Sequence, residues 1–234
     1  MADFHKEDFA RILAERNVIL TDLQTRQFAL YCDMLREWNE RMNLTAICEE
    51  DAIYEKHFLD CVLPMLEYQP KGSLCDVGAG AGFPSLPMKI MDPTLQVTII
   101  EPIQKRITFL RALCEACQLD VTLVHGRSEE YAKHHRESFD IVSARAVASL
   151  PVLSELCIPL IKVKGQFWAM KGSRAHEEKE MAKQAIARLG CRYLTSSEQM
   201  MSDGAAHITL IYEKIKSTPV QYPRSYGQIK KHSL

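Results

Sequence analysis

The residues with most chemistry to offer run from Leu74 to Pro84, Leu-Cys-Asp-Val-Gly-Ala-Gly-Ala-Gly-Phe-Pro. A short apolar run ends in an acid, three glycines follow at alternate positions, and helical character begins. This reads as a strand entering a tight glycine turn at a helix start. Glycine takes positive φ there and lets a ligand touch the main chain. Such a turn stands at the carboxyl end of a strand, where open α/β sheets bind ligands. The spacing is G-x-G-x-G, not the G-x-G-x-x-G that seats a dinucleotide pyrophosphate on a helix N-terminus. Phe83 and Pro84 follow at once and give the opening an apolar lip. A ligand without pyrophosphate suits it, such as S-adenosylmethionine, resting on the main chain at Gly78 and Gly80. Glu101 ends the next apolar run, Gln96–Ile100, 23 residues after Gly78. That is the place of an acid that bonds ribose hydroxyls. A tight turn that holds no ligand is the alternative.

The elements around this turn follow from the remaining pattern. Residues 3–70 read as helical. Thr21-Asp-Leu-Gln24 is a capping box. Beyond it Phe28, Tyr31, Leu35, Trp38 and Met42 form one apolar stripe at three- and four-residue steps. A third helix is predicted from Glu50 to Leu63, stopping near Pro64. From Leu74 on, strand and helix alternate, with strands at 74–77, 96–100, 121–124, 139–143, 166–170, 191–195 and 207–212. Alternation of this kind predicts parallel strands with helices on both faces. The turn Met201-Ser-Asp-Gly204 is too short for a crossover helix, so the last strand is antiparallel to its neighbour. The fold class is therefore α/β: a Rossmann-like sheet of seven mostly parallel strands with the last reversed, behind a helical extension. The domains are residues 1–70, 71–214 and a basic tail, 215–234, packed near the active-site face.

The chain has 234 residues, 47% of them apolar and 25% charged, as in an ordinary globular protein. No apolar run reaches the roughly 18 residues that cross a bilayer, and the first ten residues carry no signal-peptide pattern. A cytoplasmic monomer is expected. Eight scattered cysteines in so long a chain read as reduced, buried thiols. Cys114-Glu-Ala-Cys117 is a lone C-x-x-C with no second pair at zinc spacing, so no metal is expected. Net charge is −1, but it is unevenly spread. Residues 1–70 carry 7 basic and 14 acidic side chains, whereas residues 214–234 carry 5 basic and no acidic ones. A basic tail on an acidic protein is a candidate phosphate contact; a solvated terminus is the alternative.

Four motifs in order, Trp38–Ile47, Asp76–Pro84, Ser143-Ala-Arg-Ala146 and Tyr222-Pro-Arg224 with Gly227, Lys230, Lys231 and Leu234, resemble those of the RsmG (GidB) family. The resemblance spans nearly the whole chain. It implies a methyltransferase that uses S-adenosylmethionine to methylate N7 of one guanine in 16S ribosomal RNA of the small ribosomal subunit. It also implies cofactor contacts at Gly78, Phe83, Ser128, Glu129 and Arg145. Two positions depart from the family pattern: Ser85 where glycine is common after Phe-Pro, and Cys61 where serine is common after His57-x-x-Asp60.

Guanine N7 presents a lone pair in the major groove, so its methylation removes no ring proton and needs no general base. The sequence agrees: after the fourth strand there is no Asn/Asp-Pro-Pro-Tyr and no Pro-Cys, and Arg145 stands there instead. Catalysis by positioning follows, with the chain aligning methyl and N7. Arg145 is the candidate, steering a carboxylate, a phosphate or guanine O6; an ion pair with a nearby acid is its other reading. Lys164, Lys171, Arg174, Arg224, Lys230 and Lys231 are the candidate RNA contacts, or else plain surface charges. A nucleotide-dependent oxidoreductase and a non-catalytic ribosome-binding module with a vestigial pocket are the competing classes. The glycine spacing speaks against the first, the intact turn and Glu101 against the second.

Overall fold

A computed structural model describes residues 4–234; the start of the helical extension at 1–3 lies outside them. Seven strands form one sheet: β1 (Ser73–Val77), β2 (Gln96–Glu101), β3 (Val121–His125), β4 (Phe139–Arg145), β5 (Ile161–Lys171), β6 (Cys191–Met200) and β7 (Ala206–Lys214). Their order is β3-β2-β1-β4-β5-β7-β6. The pairs from β3 through β5 are parallel, and β7 runs antiparallel to both β5 and β6. The reversed last strand thus sits inside the sheet, and β6 hangs beyond it as one arm of a hairpin.

Strand side chains alternate between faces, and the sheet divides two apolar layers accordingly. Leu74, Ile99, Ile141, Trp168 and Ile211 face one core; Cys75, Ile100, Val142, Phe167 and Tyr212 face the other. The first core is covered by α1 (Lys6–Ala14), α2 (Asp22–Met42), α3 (Glu50–Ile53), α4 (Asp60–Tyr68), α5 (Ser85–Met91) and α6 (Gln104–Ala116). The second is covered by α7 (Ser128–Tyr131), α8 (Leu150–Cys157), α9 (Ala175–Leu189) and α10 (Tyr226–Lys231).

Helix α2 begins at the Thr21–Gln24 capping box and ends at Asn43 in the left-handed conformation. Its stripe buries Phe28, Tyr31 and Leu35 fully. Its polar side chains close other helices: Gln24 donates to the last carbonyls of α5, and Gln27 to Cys117 O at the end of α6.

Two predicted boundaries are corrected. The third helix does not stop at Pro64. It continues through six residues of π-helix, Tyr54–Leu59, into α4, with Pro64 inside. The fifth strand begins at Ile161 rather than at 166, so Lys164 lies within its amino half.

Candidate active site

The period-two alternation that sorts the cores also places Asp76, Ser143 and Arg145 on the face under the helical layer. They share that face with Leu74, Ile141 and Trp168. Beyond Val77 the chain turns through Gly78, Gly80 and Gly82, at φ of 71°, 61° and 102°. All three lie in the region that favours glycine. Gly78 N–H donates to Ile100 O at 2.8 Å, and Gly80 N–H to Glu101 Oε2 at 3.0 Å. A Cβ at Gly82 would sit 2.7 Å from the Tyr31 hydroxyl, which itself donates to Ala81 O at 2.6 Å. A Cβ at Gly80 would meet open space. Gly82 is thus a packing glycine, whereas the space beside Gly80 is open.

Two hollows flank the turn. One, of about 330 Å³, is lined by Gly78, Glu101, Ile103, Arg127, Ser128 and Glu129, with Tyr226 at its wall. The other, of about 550 Å³, is lined by His57, Asp60, Arg145, Lys171, Arg174 and His207. Ala146 and Val147 line both and form the partition between them. A larger hollow of about 1010 Å³ lies among α1, α4 and the end of β6, away from these residues.

The first hollow fits a small nucleoside. Gly78 of the turn lines it, and Glu101 lies buried at the end of β2. Its Oε1 accepts Ile103 N–H at 3.0 Å, and its Oε2 accepts Gly80 N–H at 3.0 Å and faces the Arg106 guanidinium at 3.7 Å, while a carboxylate offers about four acceptor positions. Lone pairs therefore remain for ribose hydroxyls.

The second hollow is floored by a polar cluster. Arg145 donates to Asp60 Oδ2 at 3.0 Å and to Lys56 O at 3.1 Å, and its guanidinium lies 4.6 Å over the Phe83 ring. His207, at the amino end of the reversed β7, reaches Asp60 Oδ1 at 3.0 Å. Arg145 also meets His57 Nδ1 at 2.9 Å. The same nitrogen lies 3.0 Å from Lys56 O, and Nε2 lies 2.9 Å from Thr45 Oγ1, so both ring nitrogens are engaged. Burial, reinforced by the Arg145 charge, lowers the His57 pKa to about 3, so it is neutral. The hydrogen bond that His207 donates to Asp60 raises its own pKa. The π-helix is what aims His57 here: Asp60 N–H bonds Glu55 O, five residues back. That wider turn shifts the side chains that follow.

Asp76 is fully buried. Its Oδ2 accepts Ser85 N–H at 3.1 Å, and its Oδ1 has no partner among the described residues. Burial raises its pKa to about 7. Ser85, a departure from the family pattern, is buried, and its hydroxyl is also unpartnered among the described residues. Cys61 is a buried thiol, and burial raises its pKa far up.

Of the residues expected around a cofactor, Gly78, Glu101, Ser128 and Glu129 come together at the first hollow. Phe83 is not a lip. It is buried, stacked on Tyr31 with ring centres 5.3 Å apart, with His57 at 4.4 Å. Arg145 stands in the second hollow, across the partition. Among the expected RNA contacts, Arg174 lines the second hollow and is exposed, as are Lys230 and Lys231 on α10. Lys171 is paired with Glu178 at 2.8 Å, and Arg224 with the buried Glu155 at 2.6 Å. Lys164 is a correction: it lies toward the amino end of β5, and a parallel strand carries that end to the opposite edge of the sheet from the glycine turn.

His207 and Tyr226 were not legible as site residues. His207 reads as the first residue of an apolar strand, and only the strand's reversal brings it to this edge. Tyr226 reads as part of a basic tail.

A model for rRNA small subunit methyltransferase G (GidB) matches residues 24–205. The chain is 48% identical to the Ribosomal RNA small subunit methyltransferase G of Pediococcus pentosaceus over 230 residues, 94% of this chain and 95% of that one. It is also 48% identical to the protein of the same name from Staphylococcus aureus strain JH9, over 97% of this chain and 98% of that one. Among solved structures, the YcgJ protein of Bacillus subtilis superposes with a TM-score of 0.52 at 12% identity, over 69% of this chain and all of that one. P. horikoshii TYW2 in complex with MeSAdo superposes at 0.52 and 16% identity, over 62% of this chain and 57% of that one. These two speak for the fold alone.

Proposed function

The chain belongs to the GidB family, the rRNA small subunit methyltransferase G proteins, and on that premise we propose that it methylates N7 of one guanine in 16S ribosomal RNA. The observation that carries this reading is the pair of hollows sharing the Ala146–Val147 wall, one cradled by glycine main chain, the other floored by Arg145. S-adenosylmethionine, when bound, supplies an electrophilic methyl group.

The chain's own residues supply placement. Gly78 and Gly80 offer main chain, Glu101 takes ribose hydroxyls, and Ser128 and Glu129 line the far end. Arg145 is held by Asp60, Lys56 O and His57, so its remaining donor capacity points in a fixed direction. A fixed guanidinium suits guanine O6 or a neighbouring phosphate. No side chain here is poised as a strong base. His57 is neutral but has both ring nitrogens engaged, and Asp60 is spanned by Arg145 and His207. That agrees with an acceptor atom that has no proton to lose. Of the candidate RNA contacts on this side of the sheet, Arg174, Lys230 and Lys231 are exposed and make no ion pair among the described residues, which leaves them able to meet phosphate.

The test is transfer of labelled methyl from S-adenosylmethionine to undermethylated small subunits. Wild-type protein transfers label, and Arg145→Ala loses on the order of a hundredfold in turnover, the scale of a misplaced reactant. Equal turnover would remove Arg145 from the mechanism.

A further inference from the structure

The cofactor hollow has a wall that neither the glycine turn nor Glu101 supplies. Tyr226, the first residue of α10, stands there beside Arg127, whose guanidinium lies 4.5 Å from the ring centre. Several contacts deliver it. Arg224 grips Glu155 of α8 through its main-chain N–H at 2.8 Å and its guanidinium at 2.6 Å. Ser225 and Gln228 form a capping box, and Ile229 is wholly buried in the second core. Upstream, Arg136 holds the carbonyls of Thr218 and Tyr222. The end of the chain is therefore docked, and Tyr226 is placed rather than loose.

Sheet order says which part of a ligand it would meet. Along β4-β1-β2-β3 the site runs from Arg145 over the glycine turn, past Glu101, to Arg127–Glu129 after β3. With ribose on Glu101 and the reacting end toward Arg145, the nucleobase falls at the end of β3. A guanidinium stacked on a phenol ring makes a flat wall of the kind that takes a purine.

We propose that the Arg127–Tyr226 stack is the nucleobase wall of the cofactor site, making the C-terminal helix a working part of that pocket. This rests on the S-adenosylmethionine reading above. Calorimetry with S-adenosylhomocysteine and 5′-methylthioadenosine tests it, because the two share the nucleoside and differ at the amino-acid end. Tyr226→Ala weakens both by the same factor, about tenfold. Arg127→Ala does likewise, and Tyr226→Phe, which keeps the ring, stays within about twofold of wild type. Unchanged affinity in Tyr226→Ala, a loss confined to S-adenosylhomocysteine, or an equal loss in Tyr226→Phe each overturns the assignment. If wild-type protein binds neither ligand, the cofactor reading itself falls and takes this inference with it.

Discussion

Arg145 is the side chain on which the substrate half of the site turns. It is nearly enclosed, and its partner Asp60 more so, with side-chain exposures of 16% and 7%. Truncating it leaves Asp60 to His207 alone and costs about 1–3 kcal/mol of stability as well as turnover. Arg145→Lys does not restore activity, because an ammonium cannot reproduce the fork that spans Asp60, His57 and Lys56 O. Asp76 offers a separate test through pH. Its folded pKa, about 7, lies above its unfolded value, so its contribution to stability is full below pH 4 and is lost as pH rises to 7. His57 acts oppositely: its folded pKa of about 3 makes stability fall as pH drops below 6.5. The two partly cancel in the wild type, so the difference between wild type and Asp76→Asn is the informative quantity. The variant gains on the wild type by about 1.4 kcal/mol for each pH unit between 4 and 7, and no further above 7. Denaturant melts at pH 4, 5.5, 7 and 8 measure this, and a pH-independent difference would place the Asp76 proton elsewhere.

At the scale of elements, the glycine turn and the acid after it were legible because both sit on local sequence spacing. The capping box of α2 and the reversed last strand were legible for the same reason. What the residues alone did not disclose depends on contacts between distant segments. Asp60 and Arg145 are 85 positions apart, and Asp60 meets Arg145 at the end of the π-helix that the sequence does not announce. Pro64 argued for a helix end, yet tertiary packing carries the helix through it. Phe83, read as an apolar lip of the opening, is instead buried against Tyr31 of the helical layer. The basic tail proved to contain α10, because Arg224 neutralises Glu155, an acid with no exposure at all. Removing one partner of such a pair strands a buried charge. Arg224→Ala therefore costs about 3–5 kcal/mol and releases α10, which limited proteolysis detects as early cleavage after residue 214. A variant as stable and as protease-resistant as wild type would show that α10 is held by Ile229 alone.

At the scale of the whole molecule, the helical layer and the sheet are one packed body. Phe9, Phe28 and Phe58 share a core with Leu86, Ile99 and Phe109, and α2 closes the ends of α5 and α6 through Gln24 and Gln27. Tyr31 bonds into the glycine turn itself. The N-terminal layer therefore also reaches the site, through His57 and Asp60, while Arg174, Lys230 and Lys231 remain exposed at the surface. Among the described residues no helix is long and apolar enough to cross a membrane. The most direct measurement is to incubate the protein with labelled S-adenosylmethionine and small subunits that lack the modification, then map the labelled atom in 16S RNA. The guanine-N7 reading proposed from family membership predicts one guanine, labelled at N7, whose glycosidic bond becomes labile and whose strand cleaves there after reduction and aniline treatment. No incorporated label, or label on an exocyclic amine or a pyrimidine carbon, would contradict it.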